Sequence, residues 1–314
     1  MKIVRDNSKI KSSNYNIATI GYFDGIHAGH RKILNELVSQ AKINKGQSIL
    51  ITFWPHPRTV LHENTSVDLL LSQDDKHLFL EKIGVDILYL VEFTKSFSKV
   101  TADTFINNFL IEKLHVDKLV IGYNHNFGFK REGNYSYLRK HSGKYKFDIQ
   151  EVKKEEINKS LDISSSTIRE KVKSGDLSLA NKMLGYKFYL DGIVEKGDGI
   201  GKTIDFPTAN ITSSEKSKIL PGDGVYAAHV NIDNKILSGM VNIGFRPTVK
   251  GKDRRIELHI FNFSRNIYGK TLRIIFNSKI REEIMFKNIK DLKKQLEKDK
   301  IETIKLLNNE KIRN

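Results

Sequence analysis

Two histidines, His27 and His30, stand three residues apart within the run 18–34, which reads ATIGYFDGIHAGHRKIL. On a helix that spacing puts both rings on one face. The run opens as a short apolar strand and passes through a turn holding Gly21, Phe23, Asp24 and Gly25. It then enters, by way of Gly29, a helical pattern with apolar Ile33, Leu34, Leu37 and Val38. A strand, a Gly-rich turn and a helix N-terminus together make an anion site, because free backbone N–H groups and the helix dipole point at the ligand. Both imidazoles can then reach one phosphate chain. The dinucleotide fingerprint G-x-G-x-x-G is absent, which argues against hydride-transfer chemistry.

A second constellation lies in the other half of the chain. Gly197, Gly199 and Gly201 precede Lys202 and Thr203, and Asp205-Phe206-Pro207-Thr208-Ala209-Asn210 follows. The glycine spacing fails the P-loop pattern, which needs four residues between its glycines. Glycines still let backbone amides approach phosphate, and Lys202 adds charge. Thr208 and Asn210, two apart on an extended segment, share a face, which suits one hard cation such as Mg²⁺ held through oxygen. Taken alone, the stretch reads as a strand-edge turn.

Two further stretches in the first half fit a phosphate or nucleotide pocket. Residues 122–128, GYNHNFG, follow an apolar run and carry Asn124; a surface turn and a substrate-lining loop are equally open there. Residues 163–169, ISSSTIR, open a helix. Serines at a helix start ordinarily cap it. Ser164, Ser165 and Ser166, with Arg169 one turn in, also suit a second phosphate cluster.

These side chains need a scaffold. Apolar runs near 17–22, 48–53, 87–91 and 118–122 alternate with helical patterns over 69–83 and 101–114, the expectation for a parallel sheet with helices on its faces. Gly185 ends a helix predicted over 177–184. From Tyr186 the pattern turns to short β runs (188–194, 224–232, 236–243, 254–261, 272–280), with a hairpin signal at Asp233-Asn234. A mostly β barrel is predicted, followed by a Lys-rich amphipathic helix expected to pack on it rather than on a membrane. The expected domains are 1–185, a Rossmann-like α/β domain, and 186–314, the barrel with its C-terminal helix.

The bulk numbers narrow the class. The chain has 314 residues, 53 Lys+Arg against 37 Asp+Glu, a net charge of +16, and no cysteine. A disulfide framework, a thiol nucleophile and a Cys-based zinc site are excluded. No run reaches the ~18 apolar residues of a membrane span, and no apolar leader follows Met1. The cytoplasm is the expected location. The positive charge suits polyanionic ligands, but the lysines are dispersed without interleaved aromatics, so nucleic acid and membrane are not expected partners. Self-association is left open.

The pattern G-Y-F-D-G-x-H-x-G-H resembles that of nucleotidyltransferases. With ITFWPHP (51–57), VEFTKSFSKVTADTF (91–105) and SSSTIR (164–169), the first half resembles the FMN adenylyltransferase module of bacterial bifunctional riboflavin kinase/FAD synthetases. The second half resembles their riboflavin kinase module through PTAN (207–210), LPGDGVY (220–226), NIGFRPT (242–248) and IELHIF (256–261). The resemblance implies that His27 and His30 stabilise charge as pyrophosphate leaves. It also implies that Asn124, Ser164, Ser165, Ser166 and Arg169 bind nucleotide or flavin, and that Thr208 and Asn210 bind MgATP. Glu257 is the implied catalytic base, and Arg281 is implied to lie near the flavin. ATP is the implied co-substrate, Mg²⁺ the cofactor, and riboflavin, FMN and FAD the flavins handled. Four positions depart from the family pattern: Ser166 replaces Thr, Asn126 a basic residue, Asp205 a Gly and Lys202 an Arg. Two other readings are an aminoacyl-tRNA synthetase-like ligase, which would want a K-M-S-K-S-type loop, and a basic nucleotide- or nucleic-acid-binding regulator.

Overall fold

The computed structural model describes residues 1–5, 10, 14–61, 67–153, 156–157, 161–196, 200–245 and 254–309. They form two compact units, Met1–Ser164 and Ser165–Asn314.

The first unit is an α/β layer structure. In chain order it contains β1 (Lys2–Arg5), β2 (Asn16–Ile20), α1 (Ala28–Ile43), β3 (Gln47–Trp54), α2 (Pro57–Leu61), α3 (Gln73–Ile83) and β4 (Ile87–Glu92). There follow α4 (Ala102–Phe105), running into a π-helical stretch Ile106–Lys113, then β5 (Lys118–Gly122), α5 (Tyr135–Lys140), β6 (Asp148–Val152) and a two-stranded ribbon, β7 (Glu156–Ile157) with β8 (Leu161–Asp162). The sheet order is β1-β4-β3-β2-β5-β6, and every pairing is parallel. One face buries Ala18, Ile20, Ile49, Ile51, Tyr89 and Ile121 against Phe105, Ile106, Phe109 and Leu110. Helix α1 buries Leu34, Leu37, Val38 and Ala41.

From β2 the chain steps through β3 to β4 in one direction, and from β5 to β6 in the other. The carboxyl ends of β2 and β5 therefore flank the point where strand order reverses, which is where open α/β sheets bind ligands. The turn with the two histidines follows β2, and the loop with Asn124 follows β5. The edge strands β1 and β6 were not among the expected ones, because each is largely exposed and lacks an apolar run. Helix α3 begins later than the pattern predicts. Ser72 caps it by accepting from Asp75 N–H, while the amides of Leu70 and Leu71 go elsewhere, as described below.

The second unit opens with α6 (Ser165–Lys173) and α7 (Leu177–Leu184), the latter ended by Gly185 at φ +71°. Strands β9 (Tyr189–Glu195), β10 (Ala209–Ser213), β11 (Gly224–Ile232), β12 (Lys235–Phe245), β13 (Arg254–Ile260) and β14 (Thr271–Arg281) close an antiparallel barrel in the order β10-β13-β12-β11-β14-β9. Asp233 and Asn234, at φ +50° and +59°, make the two-residue turn between β11 and β12. Helix α8 (Ile289–Asn308) packs on β11, β12 and β14. Its Leu292 and Leu296 meet a cluster of Ile204, Phe206, Val225, Met240 and Phe261.

The contact division falls at Ser164, ahead of the pattern change at Gly185. Asn181 of α7 is fastened to the barrel on three backbone groups: its Nδ2 donates to the carbonyls of Phe276 (3.1 Å) and Asn277 (3.0 Å), and its Oδ1 accepts from Phe188 N–H (2.7 Å).

Candidate active sites

The turn after β2 is built around backbone that doubles back. Phe23, Gly25 and Ile26 have φ of +53°, +82° and +35°. Buried Asp24 holds this shape. Its carboxylate accepts the N–H of Leu70 at 3.0 Å and of Leu71 at 3.3 Å, which fastens the turn to the segment ahead of α3 and takes those amides out of the helix. The Phe23 ring folds back over Gly21, where an added Cβ would come within 2.7 Å of it. The chain is thereby aimed into α1.

His27 is the N-cap of α1. Its Nδ1 accepts His30 N–H at 3.2 Å, and the two rings stack at 3.6 Å between centroids and 19° between planes. Because Nδ1 accepts, a neutral His27 carries its proton on Nε2, which is then a donor. Phe23 supports the far ring, 4.9 Å from His30. Gly29 gives the helix its close approach: a Cβ there would lie 3.3 Å from His27 Cε1 and 4.0 Å from the Ile163 carbonyl. The sequence expectation that both rings share one face of the first turn is met by direct stacking.

Lys76 on α3 escaped sequence reading, since a helical lysine looks like part of a solvated face. It is 3% exposed, with Nζ 4.1 Å from the centroid of the Tyr22 ring. Burial pushes its ammonium down to about 8, against the opposing pull of Asp24. Gln73 donates to Tyr22 Oη at 3.2 Å and the His56 ring meets Tyr22 edge-on at 4.1 Å.

In the loop after β5, Asn124 is exposed. Asn126 donates Nδ2 to the Asn124 carbonyl at 2.8 Å. Burial, with Arg131 adding to it, pushes the His125 imidazole down to about 4. Ser165 and Ser166 occupy the first turn of α6 and Arg169 the next, with Ile168 and Val172 buried; all of α6 belongs to the second unit.

The barrel unit holds a cavity of about 360 Å³, and Thr208, Asn210, Glu257 and Arg281 all line it. Strand register explains the convergence. Asn210 pairs with Glu257 across β10 and β13, and Glu257 pairs with Asn242 across β13 and β12, so the three directly opposed side chains share a face. Glu283, on the segment after β14, reaches the same wall: Asn242 Nδ2 donates to its carboxylate at 3.3 Å. Gly201 is required by close approach, because a Cβ would lie 2.1 Å from the Phe206 carbonyl. Thr203 sits in the short 3-10 turn Ile200–Ile204, exposed and outside the cavity lining. Gly197, Gly199 and the Lys202 side chain lie outside the described residues.

Arg281 forms an ion pair with Asp299 of α8. Its Nε lies 3.0 Å from both carboxylate oxygens and its Nη2 2.7 Å from one, with side chains 15% and 2% exposed. Gln295 adds a bond to Asp299 at 2.9 Å. Asp205 adopts φ +66°, a left-handed conformation that favours Gly. Its carboxylate is 82% exposed and pairs with Lys293 at 2.7 Å, which holds its pKa below the usual carboxylate range. His259 was not singled out from sequence; it sits two residues past Glu257 and lines the same cavity.

The first unit has the architecture of an α/β nucleotidyltransferase, with its histidine turn at the switch point. The second is a small closed barrel whose wall gathers a carboxylate, an amide and a hydroxyl around one cavity. A model described as FAD synthetase matches residues 9–167, and one described as riboflavin kinase matches residues 184–307. Curated relatives named bifunctional riboflavin kinase/FMN adenylyltransferase align along nearly the whole chain. The one from Buchnera aphidicola of Schizaphis graminum is 36% identical over 97% of this chain and 98% of its own. That from Haemophilus influenzae is 38% identical over 91% and 92%, and that from Escherichia coli 33% over 96% of each. The chain belongs to the family of bifunctional riboflavin kinase/FMN adenylyltransferases. A solved structure described as a macrolide-efflux protein from Streptococcus pneumoniae superposes with a TM-score of 0.87 at 27% identity, covering 96% of this chain and 99% of that one. Among the described residues no helix is long and apolar enough to cross a membrane.

Proposed function

We propose that the barrel unit transfers the γ-phosphoryl group of ATP to the 5′-hydroxyl of riboflavin, and that the histidine site transfers the adenylyl group of a second ATP to the FMN so formed. The observation that carries the kinase assignment is the convergence of Thr208, Asn210 and Glu257 on one cavity wall. Glu257 accepts the proton of the attacking hydroxyl, a step that needs a carboxylate beside the nucleophile and nothing covalent. The Thr208 hydroxyl and Asn210 amide oxygen offer hard donors that fit Mg²⁺. That ion would neutralise charge on the transferring phosphate. Gly201 lets backbone approach the phosphates, and Arg281 with the α8 face shapes the flavin end of the cavity.

In the first unit, the FMN phosphate attacks the α-phosphorus of ATP in line. His27 Nε2–H and His30 stabilise the charge gathering on departing pyrophosphate, together with the amides that open α1. Gly21, Phe23, Asp24, Gly25 and Gly29 shape the turn. This reading assigns nucleotide and flavin contacts to Asn124, Ser164, Ser165, Ser166 and Arg169, and the adenylylation to residues 1–185.

The test is product analysis on the full-length protein with riboflavin and MgATP. FMN is expected first and FAD after it. Glu257→Gln should lower FMN formation by at least about a hundredfold while supplied FMN is still converted to FAD. Absence of any flavin product from the unaltered protein refutes the proposal, and a folded Glu257→Gln protein that still makes FMN refutes the assignment of the base.

A further inference from the structure

His259 and Glu257 leave β13 on the same face. The histidine is 7% exposed and packed between Phe206 and Phe261, with ring centroids at 5.1 and 5.6 Å. Its Nδ1 lies 2.8 Å from the carbonyl oxygen of Pro207. A carbonyl can only accept, so Nδ1 carries the proton and donates. The oxygen it holds belongs to the peptide that joins Pro207 to Thr208. The β10–β13 ladder gives Asn210 paired with Glu257 and Ala209 with Leu258, and it ends there. One step further would pair Thr208 with His259. The imidazole therefore continues the ladder by side chain, past the last backbone pair, at Thr208, which lines the cavity. On the other side of the same loop, Phe206 N–H donates to the Gly201 carbonyl at 2.9 Å, so the held peptide is braced against the glycine turn. Burial favours the neutral ring, with the Pro207 bond opposing and Lys300 of α8 reinforcing that effect.

We propose that His259 is a positioning residue of the kinase site: by holding the Pro207 carbonyl it fixes Thr208 beside Asn210 and Glu257, and so sets the affinity for the magnesium nucleotide. This deepens the kinase reading above and rests on it. Riboflavin binding does not pass through this bond, so its KM is the internal reference.

The experiment uses full-length protein carrying His259→Leu, His259→Asn or His259→Gln, with MgATP and riboflavin varied separately. The asparagine Nδ2 occupies the place of the histidine Nδ1, whereas the glutamine nitrogen occupies that of Nε2. His259→Leu should raise KM for MgATP about fivefold, the loss of one part-buried hydrogen bond. It should leave KM for riboflavin and the conversion of supplied FMN to FAD unchanged. His259→Asn should recover most of the loss and His259→Gln should not. Wild-type KM for MgATP in His259→Leu overturns the proposal, as does equal rescue by Asn and Gln, or a fall in kcat alone that follows the melting temperature. If His259→Leu does not fold, the Asn against Gln comparison decides. A wild-type protein that makes no FMN refutes the kinase reading instead.

Discussion

Replacing Asp299 by Asn keeps the shape of the side chain and removes its charge from Arg281. The guanidinium reaches that carboxylate with Nε at 3.0 Å and Nη2 at 2.7 Å, and the pair is almost shut off from water. Breaking a buried pair by neutralising one partner leaves an uncompensated charge, at about 3 kcal/mol or more. For a domain of this size each kcal/mol moves the melting temperature by about 2–4 °C, so the barrel transition should fall by about 10 °C in thermal denaturation followed by circular dichroism. The same helix carries Leu292 and Leu296 into the cavity wall, so KM for riboflavin should rise as well. A paired variant separates the two effects. Arg281→Met with Asp299→Leu replaces the ion pair by apolar groups, which is commonly neutral for stability. Its melting temperature should return toward that of the wild type while KM for riboflavin stays raised, because the cation that the kinase reading assigns to the flavin end is gone. An Asp299→Asn protein that melts within about 2 °C of wild type would refute the reasoning: α8 would then be held by its apolar face alone.

Three further outcomes are expected. His30→Ala, which removes the ring stacked on His27, should slow FAD formation from supplied FMN by about a hundredfold and leave FMN formation unchanged, read in parallel product assays. Asp205→Gly relieves a left-handed backbone at an exposed site and should raise stability by about 1 kcal/mol, with kinase kinetics unaltered because the carboxylate faces Lys293; a changed KM for MgATP would contradict that orientation. His125 is held neutral, with its pKa depressed from 6.5 to about 4. Between those values the unfolded chain binds the extra proton, so stability falls as pH drops through that window. His125→Phe should therefore move acid unfolding of the first unit to lower pH by about half a unit, seen in urea titrations at stepped pH.

What could be read from the sequence depended on whether the signal was local. Strands β2 to β5 were legible because each is an apolar run buried on both faces; β1 and β6 were not, being mostly polar edges. His27 and His30 were legible because their spacing along the chain is also their spacing in space. Glu257 became legible only through a motif, since its partner Asn210 lies far back along the chain and is brought to it by barrel register. Lys76, His259 and the Arg281–Asp299 pair gave no local signal. A lysine on a helix and a histidine on a strand look solvated until folding places Tyr22 over one and Pro207 against the other. The boundary differs for a similar reason: residue pattern changes at Gly185, but contacts follow Asn181 into the barrel.

That asparagine decides how the chain can be cut. A fragment starting after Gly185 would lack the Asn181 amide that bonds Phe188 N–H and the carbonyls of Phe276 and Asn277, a loss of about 1 kcal/mol for each bond. A fragment starting at Ser165 keeps them. It also carries away Ser165, Ser166 and Arg169, which the adenylylation reading needs. Separating this chain into two single-activity genes would therefore place the cut in the turn between α6 and α7, so that one product keeps Ser165, Ser166 and Arg169 and the other keeps Asn181.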